Sequence, residues 1–152
     1  MQIKKIIYNT LLIIWMVIIF MFSNQNAKTS QATSDKIASD IVDTVEIISK
    51  KDIPDGNKKK LISDTRFIIR KTAHFTLYLV LGILAHLVFS SYNVSKPVIY
   101  SIIFCLLYAC SDEVHQIFSD GRTAKLMDIF IDTCGGIVGN FICHIIKKYK
   151  KS

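Results

Sequence analysis

The residues 111 to 122, SDEVHQIFSDGR, follow the apolar run PVIYSIIFCLLYAC with no spacer and bring two acids, a histidine, a glutamine and an arginine together. Asp112 and His115 are three apart, as are Glu113 and Gln116, so each pair shares a side of a helix that continues past Ser111. Arg70, His74 and Tyr78 recur every four residues and form one helical stripe that runs on to Leu81 and Gly82. Asp128 and Asp132 are one turn apart, with Gly135, Gly136 and Gly139 following. Histidines among carboxylates can transfer protons, with His115 as general base oriented by Asp112 or Glu113. His74 would act as an acid or, together with Asp128 and Asp132, as a ligand to a divalent metal. No HExxH or comparable ligand run accompanies that metal option, and no other cofactor is evident. Arg70, Lys71 and Arg122 have the chemistry to hold a phosphate or carboxylate, with Ser23, Gln25, Tyr78 and Gln116 as polar neighbours. The competing reading is purely structural: Arg70, Lys71, Arg122 and Lys125 neutralise the four acids and tie helix ends together.

The elements that must position these residues are membrane spans. Of the 152 residues, 51% are apolar, more than a small water-soluble core needs. The net charge of +7 comes from lysines that flank apolar runs and cluster in one polar segment, a distribution that fits a bilayer surface and not nucleic acid. The chain reads as a single all-α domain over 1–152, a polytopic membrane protein with four transmembrane helices at about 6–22, 73–91, 97–113 and 126–146. The first run is read as an anchor, since Gln25 occupies the minus-three position before Ala27 and spoils a small-x-small cleavage site. Pro97 suits the first turn of the third helix. In the last run the glycines, including the GxxxG of Gly135 and Gly139, permit close approach of a neighbouring helix. Asp132 there costs about 2.5–3.5 kcal/mol to insert unless it has a partner.

Four spans put both termini on one side, and the terminal lysines make that side cytoplasmic by the positive-inside bias. The segment 24–70 is then extracytoplasmic. In it Ile37, Ile41, Val45 and Ile48 mark an amphipathic helix, with Ser34 as its expected cap, lying on the outer surface or covering a site. The DIPDGN turn precedes a helix that restarts near Lys58 and continues into the second span. On this topology the polar motifs gather at the outer ends of all four spans, while the inner face offers flanking lysines, a serine-rich turn, His86 and His144. The four cysteines, within apolar runs and without CxxC spacing, are small apolar residues.

The ordered motifs Phe22-Ser23 with Gln25, Arg70-Lys71 with His74, Tyr78 and Gly82, Ser111-Asp112-Glu113 with His115, Gln116 and Phe118, and Gly121-Arg122 with Asp128, Asp132, Gly136 and Gly139 resemble the VanZ-like family of bacterial membrane proteins. The sequence departs by carrying Asp120 where that family often has proline, and by a longer lysine-rich segment between the first two spans. The resemblance implies a four-helix membrane fold and a place in the cell envelope, with one relative associated with resistance to the glycopeptide teicoplanin. It supplies no established reaction. Two functions stay open: a membrane-embedded hydrolase or transferase acting on a lipid-linked or cell-wall substrate, and a non-catalytic module binding an envelope lipid, a cell-wall precursor or an antibiotic. The bilayer is the expected partner. Sequence sets no oligomeric state.

Overall fold

The computed structural model describes residues 2–23, 27–50, 53–118 and 125–150, with no side-chain description for 27–31. Five helices follow in order: α1 (Gln2–Ser23), α2 (Ala27–Ser49), α3 (Asp55–Ser91), α4 (Pro97–Ile117) and α5 (Leu126–Tyr149), and no strand occurs among the described residues. α1, α3, α4 and α5 are long and apolar enough to cross a membrane. Helices suit that solvent because each satisfies its own backbone hydrogen bonds, which hydrocarbon cannot do. α3, with 37 residues, is about 55 Å long at 1.5 Å per residue, well beyond an apolar layer of about 30 Å.

Cross-helix contacts fix the register. Tyr108 donates to the Met16 carbonyl and Phe20 meets His115, so α1 and α4 run in the same direction. Lys71 meets Asp128 and His86 meets Asn140, so α3 and α5 run together in the other. α3 and α5 make the tightest contact because glycines remove the side chains between them. A Cβ on Gly139 would lie 1.9 Å from the Leu79 carbonyl oxygen, one on Gly135 2.3 Å from that of Phe75, and one on Gly82 2.1 Å from that of Gly136. Gly136 also admits Cys105 of α4. The core this leaves is narrow, built from Leu12, Ile19, Tyr78, Leu81, Ala85 and Cys105, while large aliphatic residues line the outside. In a bilayer that inversion carries no penalty, since lipid tails are as apolar as leucine.

α2 folds back along the first half of α3 through Arg66 to Asp35 and Lys58 to Asp43 and Glu46. Ser34 is not its cap. The helix starts at Ala27, because nothing between 27 and 34 is glycine or proline, and Ser34 lies buried in its interior. The packing face is Ser34, Ala38 and Val42, whereas Ile37, Ile41, Val45 and Ile48 stand exposed. Small residues allow close packing on α3 and leave the isoleucine stripe to the surroundings. α3 opens at Asp55, three residues before the expected restart near Lys58; Pro54 precedes it, the Lys58 N–H bonds the Pro54 carbonyl at 2.9 Å, and Asp55 suits a helix N-terminus. α4 has Pro97 in its first turn and continues to Ile117, as the spacing of Asp112 and His115 requires.

Candidate functional site

The C-terminal ends of α1 and α4, the start of α5 and the middle of α3 meet at one end of the bundle. Asp132, at the end of the glycine contact, is 1% exposed and lies on α5 against α3. Its Oδ1 is 3.6 Å from His74 Nδ1, beyond hydrogen-bond length, and neither atom has a hydrogen-bond partner. Asp112 of α4 completes the group, and the ligand-capable atoms of His74, Asp112 and Asp132 lie within 4.8 Å of one another. Asp112 accepts one hydrogen bond from Gln116, at 3.2 Å through Oδ2. Ser23 of α1 is buried beside Asp112 without completing a hydrogen bond, and the Tyr78 hydroxyl is buried, unpartnered and in the field of both aspartates.

The remaining expected residues divide between two places. Lys71 pairs with Asp128 across α3 and α5, so Asp128 is committed to a lysine and Asp112 takes the position beside His74 and Asp132 that sequence spacing gave to Asp128. Spacing along one helix joins Asp128 to Asp132; only helix packing brings Asp112 across from α4. Glu113, also buried, accepts the backbone N–H of Lys125 and so ties the end of α4 to the start of α5. His115 packs its ring against Phe20 at 4.4 Å between centroids. Its Nδ1 has no hydrogen-bond partner, and no bond from Asp112 or Glu113 reaches it among the described residues. Gln25 and Arg122 lie outside the described residues.

Two cavities flank this cluster. One, of about 280 Å³, opens between α1, α2 and α3 and is mostly apolar, with Ile19, Phe22, Ile37 and Leu77 in its wall and Ser23, Thr33, Ser34, Arg70 and His74 as its polar points. The other, of about 160 Å³, is bounded by Arg66, Arg70, Lys71, Lys125 and Asp128. Arg70 lines both. The site thus has an apolar compartment that touches the carboxylate–histidine cluster through His74 and a cationic compartment that it meets at Arg70. The sequence offered the α2 stripe containing Ile37 as one that lies on the surface or covers a site; it gave Ser34 the role of cap, whereas Ser34 and Ile37 both line this cavity.

The opposite end of the bundle holds a cavity of about 490 Å³ bounded in part by His86, Asn93, His144, Lys147 and Lys148. Asn140 donates to the Val98 carbonyl at 2.8 Å and presents its Oδ1 to His86 Nδ1 at 2.6 Å, so His86 Nδ1 carries a hydrogen. Sequence had placed only scattered polar residues there.

The family model described as VanZ/LLP1 matches residues 8–147, nearly the whole chain. No curated protein and no solved structure matches it.

Proposed function

The chain belongs to the VanZ/LLP1 family, and we propose that it is a multi-pass protein of the bacterial cytoplasmic membrane whose His74 end receives an anionic, lipid-linked or cell-wall molecule on the extracytoplasmic side. The terminal lysines support cytoplasmic termini, which puts Ser23, His74, Asp112 and Asp132 at the outer ends of the spans. One observation carries the reading: His74 belongs both to the buried aspartate cluster and to the wall of an apolar cavity that ends at Arg70. An acyl or prenyl chain would occupy the apolar compartment. Its phosphate or carboxylate would meet Arg70, Lys71 and Lys125, with Arg122 as a further base from the connection before α5.

The reaction class this favours is hydrolysis or group transfer at the anionic head. His74, near both carboxylates and in the wall of the apolar cavity, is the group of the cluster best placed to act on a bound head group, as a proton carrier or as a metal ligand. His115 is a second imidazole one layer away, toward α1. The non-catalytic alternative, a binding module for an envelope lipid, precursor or glycopeptide, has its own support: Glu113 is engaged by the Lys125 N–H and orients no imidazole. Glycopeptide tolerance is the phenotype expected of either.

The test is the teicoplanin inhibitory concentration of a susceptible bacterium expressing, at equal membrane levels, the wild-type chain, Arg70→Ala or His74→Gln. Tolerance abolished by His74→Gln and by Arg70→Ala supports catalysis. Tolerance that survives His74→Gln but falls with Arg70→Ala supports binding alone, and tolerance unaffected by either removes this end of the bundle from the function.

A further inference from the structure

We propose that His74, Asp112 and Asp132 hold a divalent transition-metal cation, zinc or manganese, at the junction of α3, α4 and α5. The proposal deepens the reading of this end as a reaction or binding centre and rests on it for biological purpose, but its physical argument is separate. Two carboxylates, 4% and 1% exposed, face one imidazole inside the bundle. Ionised and without a counter-charge, such buried carboxylates are costly to insert. The nearby cation that would neutralise them, Lys71, is engaged by Asp128. A dipositive ion balances the pair, and one nitrogen with two carboxylate oxygens is a ligand set that zinc and manganese both accept.

Three further observations point to an occupant and not to a set of mutual hydrogen bonds. Asp132 Oδ1 and His74 Nδ1 are buried without hydrogen-bond partners although they are only 3.6 Å apart. Tyr78, 0% exposed, brings an unpartnered hydroxyl one turn along α3 from His74 into the field of both aspartates. Ser23 of α1 adds a second buried hydroxyl, beside Asp112. Such groups are what a cation and its remaining waters would satisfy. The ligand atoms, up to 4.8 Å apart, close to roughly 3.4 Å around a tetrahedral ion with bonds of about 2.1 Å, an adjustment at the level of side-chain torsions. Three protein ligands would leave a coordination position open, and His74 connects the site to the compartment proposed for the substrate, because it also lines the apolar cavity.

The experiment uses the full chain purified in detergent, stripped with chelator, dialysed against zinc or manganese chloride separately, and assayed for bound metal by mass spectrometry. The expected result is one equivalent of one of the two ions per chain. Affinity should fall at least tenfold in Asp132→Asn and in His74→Gln, each checked for helical content and elution volume, and should be kept in Asp128→Asn. Failure of both ions to bind overturns the proposal. Binding that persists in both ligand variants, or that falls equally in Asp128→Asn, places the ion elsewhere and also overturns it. Because the assay contains neither lipid nor antibiotic, a chain that binds no metal yet still confers Arg70-dependent tolerance would sink the cation and leave the lipid site standing.

Discussion

Lys71 and Asp128 meet between α3 and α5 with side chains 20% and 15% exposed, next to a cavity bounded by three more bases. Removing one partner leaves the other charge partly desolvated. Lys71→Met should therefore cost about 1–3 kcal/mol, less than the about 3–5 of a fully buried pair. Adding Asp128→Leu to it should recover most of that loss. Thermal unfolding of the three variants in detergent, followed by helicity, checks the cycle, and a single-variant loss under about 0.5 kcal/mol would class the contact with ordinary surface pairs. At this scale sequence spacing identified His74, Asp112 and Asp132 but could not sort partners. It grouped Asp128 with Asp132 because one turn of helix separates them, whereas Lys71 claims Asp128 from the neighbouring helix.

Two contacts between elements make predictions of their own. Gly139→Ala puts a methyl group 1.9 Å from the Leu79 carbonyl oxygen, and backbone cannot step aside as a flexible side chain can. It should destabilise the bundle by about 1–3 kcal/mol or more through forced separation of α3 and α5. Gly56→Ala meets nothing within 4 Å and should be neutral or, at most, stabilising by about 1 kcal/mol. Chemical denaturation of the two variants side by side tests whether close approach, and not glycine as such, is what matters. The α2–α3 hairpin depends on pH in a different way. The Ile53 N–H and then Lys58 hold the Glu46 carboxyl below its ordinary range, and Asp43 and then Glu46 push Lys58 up. A depressed carboxylate contributes above its unfolded pKa of about 4.3 and loses that contribution as pH falls through its folded value; a raised lysine contributes fully below about 10.4 and loses it only as pH rises past its folded value. The hairpin should thus loosen in acid and hold through neutral and mildly alkaline pH. Hydrogen exchange at the Ile53 amide, corrected for intrinsic rate, should show protection falling below about pH 4.3, and Glu46→Gln should lose most of that pH dependence.

For the whole molecule the decisive question is direction across the bilayer. Lysines at both termini require a cytoplasmic location if the positive-inside bias governs, with α2 on the far side despite its own lysines. Ser49→Cys, exposed at the end of α2, should react with an impermeant thiol reagent added to intact cells, whereas Ser152→Cys should react only after lysis, each read against the wild-type cysteines. The reverse pattern would put the aspartate cluster on the cytoplasmic side and sink the extracytoplasmic reading. Such a topology also gives the exposed stripe of Ile41, Val45 and Ile48 a place, against the outer leaflet, with Ser34 and Ile37 of α2 closing the apolar cavity.

The sequence by itself determined the helices that can span a membrane, the amphipathic α2 between the first two, and the polar residues at the motif-bearing ends of the spans. Those features follow from hydropathy, i+3 and i+4 spacing, and helix-compatible residues, all of which act within one segment of chain. It also showed where glycines permit close contact. Only the tertiary structure decided which face of α2 packs, because both faces offer burial and the choice depends on how near α3 can come: Ser34, Ala38 and Val42 are smaller than the isoleucines of the other face. It likewise decided that Asp112, Asp132 and His74 form one cluster while Glu113 is held by the Lys125 N–H. Those outcomes depend on the relative height and rotation of separate helices, set by backbone contacts at Gly82, Gly135 and Gly139 to within a fraction of a turn, and no spacing within a single helix encodes them.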